Sequence, residues 1–300
     1  MEKAGVVLAL LLALRAGIAH AIPVAASIAP IQSLVAGVMG ATGTPALLIP
    51  GGQSPHTFAL KPSTMRAITH ARAVFWVGPT LEPALEAALA SATQAHVVAL
   101  IDAPGVKLYP ARDFDDPSLD PRRAGAHLTD DPHIWLDTDN ARAIIREIAK
   151  SLCLVDPADA PAYRANEAIE EQWISSLDEA IRAEIRPIAD KRFIVFHDGY
   201  QYFERHYGLA FGGAVTEMPG RAPGIRHIET VRNEIRSAHV TCVFSEPQFE
   251  PKLTQTITEG LNVRVGVLDA LGAEIEPGPS LYFEVMRGLS RSLSRCLSAQ

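Results

Sequence analysis

The chain has no surplus of basic residues: 27 Lys and Arg stand against 34 Asp and Glu, a net charge of −7 at pH 7. That argues against nucleic acid or an anionic membrane surface as a partner. It has no apolar run long enough to cross a bilayer as a helix, which takes about 20 residues. It shows no internal repeat and no low-complexity tract. It contains no H-E-x-x-H or C-x-x-C, so no local spacing by itself announces a metal site. Cysteine is scarce, with three in the chain. None follows the apolar start, which excludes a lipid-anchored cysteine.

What is present begins at the first residues. "MEKAGVVLALLLALRAGIAHA" has a charged start, an apolar run over Ala4–Leu14 and a small-x-small end at Ala19-His20-Ala21. This is the pattern of a secretory signal peptide over residues 1–21, cleaved after Ala21. The mature chain is therefore expected to be soluble and exported. In an oxidising compartment two of Cys153, Cys242 and Cys296 can pair. Joining Cys242, in "HVTCVF", to Cys296, near the end of the last helix, would tie that helix to a strand. Cys153, in "AKSLCLVDP", reads as a buried free thiol near a helix end, and other pairings stay open.

Strand-like runs alternate with helical patterns. In the first half the strands are "IPVAAS", "PALLIP", "AVFWVG" and "HVVALID"; in the second they are "RFIVFHD", "LAFGGAVTE", "HVTCVFSE" and "VRVGVLDA". Helical patterns at 62–71, 81–92 and near 225–238, 251–260 and 280–297 separate them. Such alternation implies parallel sheets with helices on their faces. Between the halves, residues 159–188 hold no glycine, and Ala165, Ile169, Trp173, Leu177, Ile181 and Ile185 recur at helical spacing. The expected organisation is a first lobe at 22–158, a long rigid connecting helix at 159–188 and a second lobe at 189–300. The charged, proline-rich stretch 109–132 reads as a solvated acidic loop.

Open α/β sheets bind ligands beyond the carboxyl ends of their strands. His197 ends one strand and Asp269 another. His56 lies in "PGGQSPHTFALKP" after a first-half strand, and His133 in "TDDPHIWLD". A site built this way lies in the cleft between lobes. Three imidazoles and a carboxylate suit Zn²⁺. Asp198 and Glu246 are placed to accept the second ring N–H of a ligand. Trp135 and Tyr200 are expected to pack behind the ligand loops. His70 and His96 read as structural, His206 as a helix-end residue, and His227 and His239 as surface and strand-start residues.

Five motifs occur in order: "PGGQSPHTFALKPS", "DDPHIWLD", "VFHDGYQYFE", "FSEPQF" and "VGVLDALGAEIEPG". Together they resemble the cluster A-I metal-binding proteins of ABC importers, most closely the ZnuA-type periplasmic zinc-binding proteins of high-affinity zinc uptake. The resemblance implies two pseudo-symmetric α/β lobes, a long connecting helix and a metal between the lobes. It maps the ligands to His56, His133 and His197, with Asp269 at the acidic position. Histidine at 197, where manganese carriers have a carboxylate, implies zinc. The Cys242–Cys296 pairing matches one found in zinc-binding members. The implied partners are a membrane permease and its cytoplasmic ATPase, and the protein is expected to be a monomer with no enzymatic activity.

Two departures stand out. Some relatives have a glutamate before the first histidine, where this chain has Pro55, so the fourth position falls to Asp269 or water. Many zinc members have a histidine-rich loop before the second ligand; here the loop holds His127 alone among acids. The rival readings are a manganese or iron importer component, an adhesin on the same scaffold, and a three-histidine zinc hydrolase or hydratase.

Overall fold

The computed structural model describes residues 21–112, 130–216, 223–237 and 240–298. The signal-peptide expectation for residues 1–20, most of the acidic loop with His127, and His239 lie outside the described residues.

The first sheet holds β1 (Val24–Ala26), β2 (Ala46–Leu47), β3 (Ala73–Trp76) and β4 (His96–Ala99), with α1 (Ala29–Met39), α2 (Pro62–His70) and α3 (Pro83–Ala90) between them. The strands run in the order β2-β1-β3-β4, every pairing parallel. After α4 (Thr138–Val155) and α5 (Ala160–Ile185) comes a second sheet: β5 (Phe193–His197), β6 (Phe211–Thr216), β7 (Cys242–Ser245) and β8 (Arg264–Val267). Helices α6 (Gln201–Tyr207), α7 (Ile225–Ser237) and α8 (Lys252–Thr258) connect its strands, and α9 (Leu281–Ser298) closes the chain. Its order is β6-β5-β7-β8, again all parallel. In both sheets the second strand flanks the first, and the third and fourth extend the other side. That shared order is the pseudo-symmetry.

Local chemistry sets the element ends. Of α4 only the end near Cys153 was anticipated, yet its start is also written in the chain: the Asp137 carboxylate accepts from the N–H groups of Asp139 and Asn140 at 2.7 and 3.4 Å, satisfying donors that a helix start leaves free. α6 stops at Gly208, whose φ of 70° is the left-handed cap that favours glycine. α1 is buried along its whole length, as befits a helix with apolar residues on every side.

α5 spans 26 residues, about 39 Å at 1.5 Å per residue, and packs on α1, α4 and α9. Its buried stripe differs from the expected one. Leu177, Ile181 and Ile185 are buried, but Ile169 and Trp173 are 43% and 55% exposed, and Tyr163, Glu170 and Ile174 occupy the core face. The reason is geometric. At about 100° per residue, each i+4 step drifts about 40° around the axis, so one i+4 row cannot stay on one face for six turns.

Cys242, at the start of β7, and Cys296, on α9, form a disulfide with Cα atoms 6.2 Å apart. Cys153 is a half-buried free thiol whose sulfur lies 3.6 Å from the Ala160 carbonyl oxygen. Among the described residues no helix is long and apolar enough to cross a membrane.

Candidate metal centre

The carboxyl edges of the two sheets face a shared cavity lined by His56, His133, His197, Trp135, Glu246 and Phe249, among others. His197 is the last residue of β5, so the strand carries its ring to the sheet edge. His133 precedes a short 3₁₀ turn (Ile134–Leu136) that leads into α4. His56 sits in another 3₁₀ turn, Pro55–Thr57, after β2. These three segments are far apart in sequence, yet their rings converge. His133 Nε2 lies 3.3 Å from His56 Nε2 and 3.2 Å from His197 Nε2, and all three rings offer an atom to one centre.

The outer ring nitrogens of His133 and His197 are each held by a carboxylate. His133 Nδ1 lies 2.7 Å from Asp131 Oδ1, and His197 Nδ1 lies 2.6 Å from Glu246 Oε1. A carboxylate at Nδ1 draws the ring hydrogen there and leaves the Nε2 lone pair free. The lone pairs of His133 and His197 then point at one another across 3.2 Å, an arrangement that a shared cation stabilises. Two nitrogens on a tetrahedral Zn²⁺ at about 2.0–2.1 Å would stand about 3.3–3.4 Å apart, close to the distances seen.

Electrostatics act on the rings unequally. Burial, then the neighbouring imidazoles of His133 and His197, push the His56 pKa well below the usual 6.5, which keeps that ring neutral. For His197 burial also lowers the pKa, but the charge and hydrogen bond of Glu246, with the charges of Asp198 and Asp131, together outweigh it and the net shift is upward. Gly199 leaves the rings room: a Cβ there would fall 2.4 Å from His197 Nε2 and 3.1 Å from His133 Nε2.

Asp269 does not join the cluster. Its Oδ1 accepts from the N–H groups of Leu271 and Gly272 and from Gln248 Nε2 at 2.9–3.1 Å, and its Oδ2 accepts from Ala273 N–H at 2.6 Å. Both oxygens are committed to holding the 269–273 turn. Of the two expected ring-orienting acids, Glu246 does orient a ring. Asp198 does not, because Arg112 engages it at 2.6 Å and also binds Glu204 at 2.6 Å. Asp131 was missed as a ring partner. Its signal was local, an acid two residues before a histidine with proline between, but it read as part of the acidic loop.

Trp135 packs against the His133 ring at 5.4 Å, and its indole N–H donates to the Ala270 carbonyl at 3.0 Å. Tyr200 lies 6.1 Å from the His197 ring. Both therefore pack against rings of the cluster, and Trp135 also ties the two halves together. His70 is exposed, and half-buried His96 lies 3.3 Å from Ser151 Oγ. His206 bridges Asp137 and Asp178 at 3.0 and 2.6 Å. Asp178 also pairs with Arg182, and Asp139, 3.9 Å from His206 Nδ1, pairs with Arg142.

Residues 24–296 match the family model described as "Zinc-uptake complex component A periplasmic", ZnuA. The chain belongs to this family. The high-affinity zinc uptake system protein ZnuA of Brucella suis biovar 1 is 39% identical over 92% of this chain and 91% of its own. Its Yersinia pestis namesake is 30% identical over 99% and 98%. A ZnuA deletion mutant crystallised with zinc bound superposes with a TM-score of 0.79 at 25% identity, covering 93% of this chain and 99% of its own. The periplasmic zinc-binding protein TroA of Treponema pallidum shares the fold, with a TM-score of 0.78 at 18% identity over 92% and 99% of the two chains. The ZnuA fold thus accounts for the two matched sheets and the long helix between them.

Proposed function

We propose that this chain is a periplasmic solute-binding protein that captures Zn²⁺ on His56, His133 and His197 and delivers it to an ABC permease driven by a cytoplasmic ATPase. The observation that carries the reading is the meeting of three Nε2 atoms, from segments 77 and 64 residues apart, at 3.2–3.3 Å. Zinc is cargo here. Water fills its fourth position, since Asp269 already accepts four hydrogen bonds. The lobes are residues 22–158 and 189–300, joined by the 159–188 segment that contains α5, and residues 1–21 serve as the export signal.

Binding is favoured over catalysis because the carboxylates nearest the rings, Asp131 and Glu246, face the Nδ1 atoms. Neither is turned toward the Nε2 centre to act as a general base for a metal-bound water. The test is His133→Ala with a competition titration against a zinc chelator. The expected loss of zinc affinity is at least the roughly 10–100-fold that losing a ligand's orienting partner costs, since the tetrahedral site loses the ligand itself. Wild-type affinity in the variant would defeat the assignment. Esterase or hydratase turnover by the zinc-loaded protein would favour the enzyme reading.

A further inference from the structure

Gln201 opens α6 four residues after His197, and its side chain is wholly buried. An amide nitrogen has two hydrogens to donate. Those of Gln201 Nε2 go to the Pro110 carbonyl at 3.2 Å and to Asp131 Oδ2 at 3.3 Å. Next along the helix, the Tyr202 hydroxyl donates to the Asp131 carbonyl at 2.8 Å and accepts from Tyr109 N–H at 3.2 Å. Asp131 itself is 2% exposed, and its Oδ1 accepts from both the backbone N–H and Nδ1 of His133 at 3.0 and 2.7 Å. The carboxylate that orients His133 is therefore gripped at its other oxygen and at its backbone by a helix of the second half.

We propose that Gln201 is a positioning residue for metal capture: by holding Asp131 Oδ2 it fixes the plane of the carboxylate that sets the His133 ring. The proposal rests on His133 being a zinc ligand. It gives the segment His197–Tyr202 two roles. It supplies one ligand itself and orients another that belongs to the first half of the chain. His133 thus follows α6 as well as its own loop.

The experiment uses the mature chain and zinc alone, with a chelator competition titration and ring-nitrogen NMR of the metal-free protein. Gln201→Met keeps length and volume while removing both donors. It should weaken zinc binding about 10-fold, at the lower edge of what losing such an orienting partner costs. It should also reduce the population of His133 carrying its hydrogen on Nδ1, which a purely structural role would leave unchanged. Wild-type affinity and wild-type tautomer in a folded Gln201→Met would overturn the proposal. Should that variant not fold, Asp131→Asn and Gln201→Glu decide, singly and combined, because together they exchange donor and acceptor at the two positions. The double variant should bind zinc more tightly than the product of the single losses; penalties that simply multiply would overturn the proposal. An unchanged affinity in His133→Ala would instead remove the zinc-site reading beneath it.

Discussion

Glu246 Oε1 lies 2.6 Å from Nδ1 of His197, so an acid immediately after β7 sets the ring of a histidine at the end of β5. The two strands are neighbours in the sheet, and the same residue's backbone N–H also approaches Glu246 at 3.4 Å. The pairing selects the ring form whose Nε2 faces the centre.

Replacing Glu246 with glutamine keeps an acceptor but removes the charge that strengthens the bond. Zinc affinity should fall about 10-fold, while Glu246→Ala, which removes the acceptor, should lose nearer 100-fold. Chelator competition checks this, and a Glu246→Ala protein with native affinity would show that the ring needs no such partner.

Asp269 should matter more to stability than to zinc. Its carboxylate holds three backbone N–H groups and Gln248, and hydrogen bonds to a charged group contribute roughly 1.5–3 kcal/mol each. Asp269→Ala is expected to lower the melting temperature by about 5 °C or more, at about 2–4 °C per kcal/mol for a chain of this size. Zinc stoichiometry in metal analysis should stay at one. A variant that melts normally and no longer retains zinc would make Asp269 the fourth ligand.

The Cys242–Cys296 disulfide closes a loop with a sequence separation of 54 residues. In the chain-entropy model that contributes about 4 kcal/mol. Reduction, or Cys296→Ser, should therefore lower the melting temperature by about 8–16 °C. Calorimetry with and without reductant measures it, and coincident transitions would mean that α9 holds to β7 without the bond.

Glu170 gives the fold a pH dependence. It sits over Gly37 of α1, where a Cβ would fall 2.5 Å from its Oε1, and its Oε2 is buried without a hydrogen-bond partner among the described residues. Burial pushes its pKa from 4.5 up to about 7. Between those values the folded chain holds a proton that the unfolded chain has released, so stability falls as pH rises through that window. Glu170→Gln cannot ionise. Its melting temperature should decline less than wild type between about pH 5 and 8 and lie several degrees higher at the upper end. Parallel curves would show that Glu170 is already compensated.

Much of the site was legible from strand ends. His197 closes a β-branched and aromatic run, and His56 lies in a glycine- and proline-rich loop after another strand, so the carboxyl-edge rule brought them together before any contact was known. Asp131 and Asp269 were not legible in the same way. Each is an acid near a sheet edge, and composition does not distinguish a carboxylate aimed at a ring from one that gathers turn amides. That choice depends on where the donors end up.

The sequence by itself determined the alternation of strands and helices, the parallel sheets that follow from it, and the histidines able to meet at their edges. These are properties of local periodicity and of strand polarity. Only the tertiary structure decided which acid serves which ring, which face of α5 is buried, and that Asp269 belongs to its turn. Those outcomes depend on hydrogen-bond donors and packing surfaces contributed by residues distant in the chain, whose positions no short-range pattern encodes.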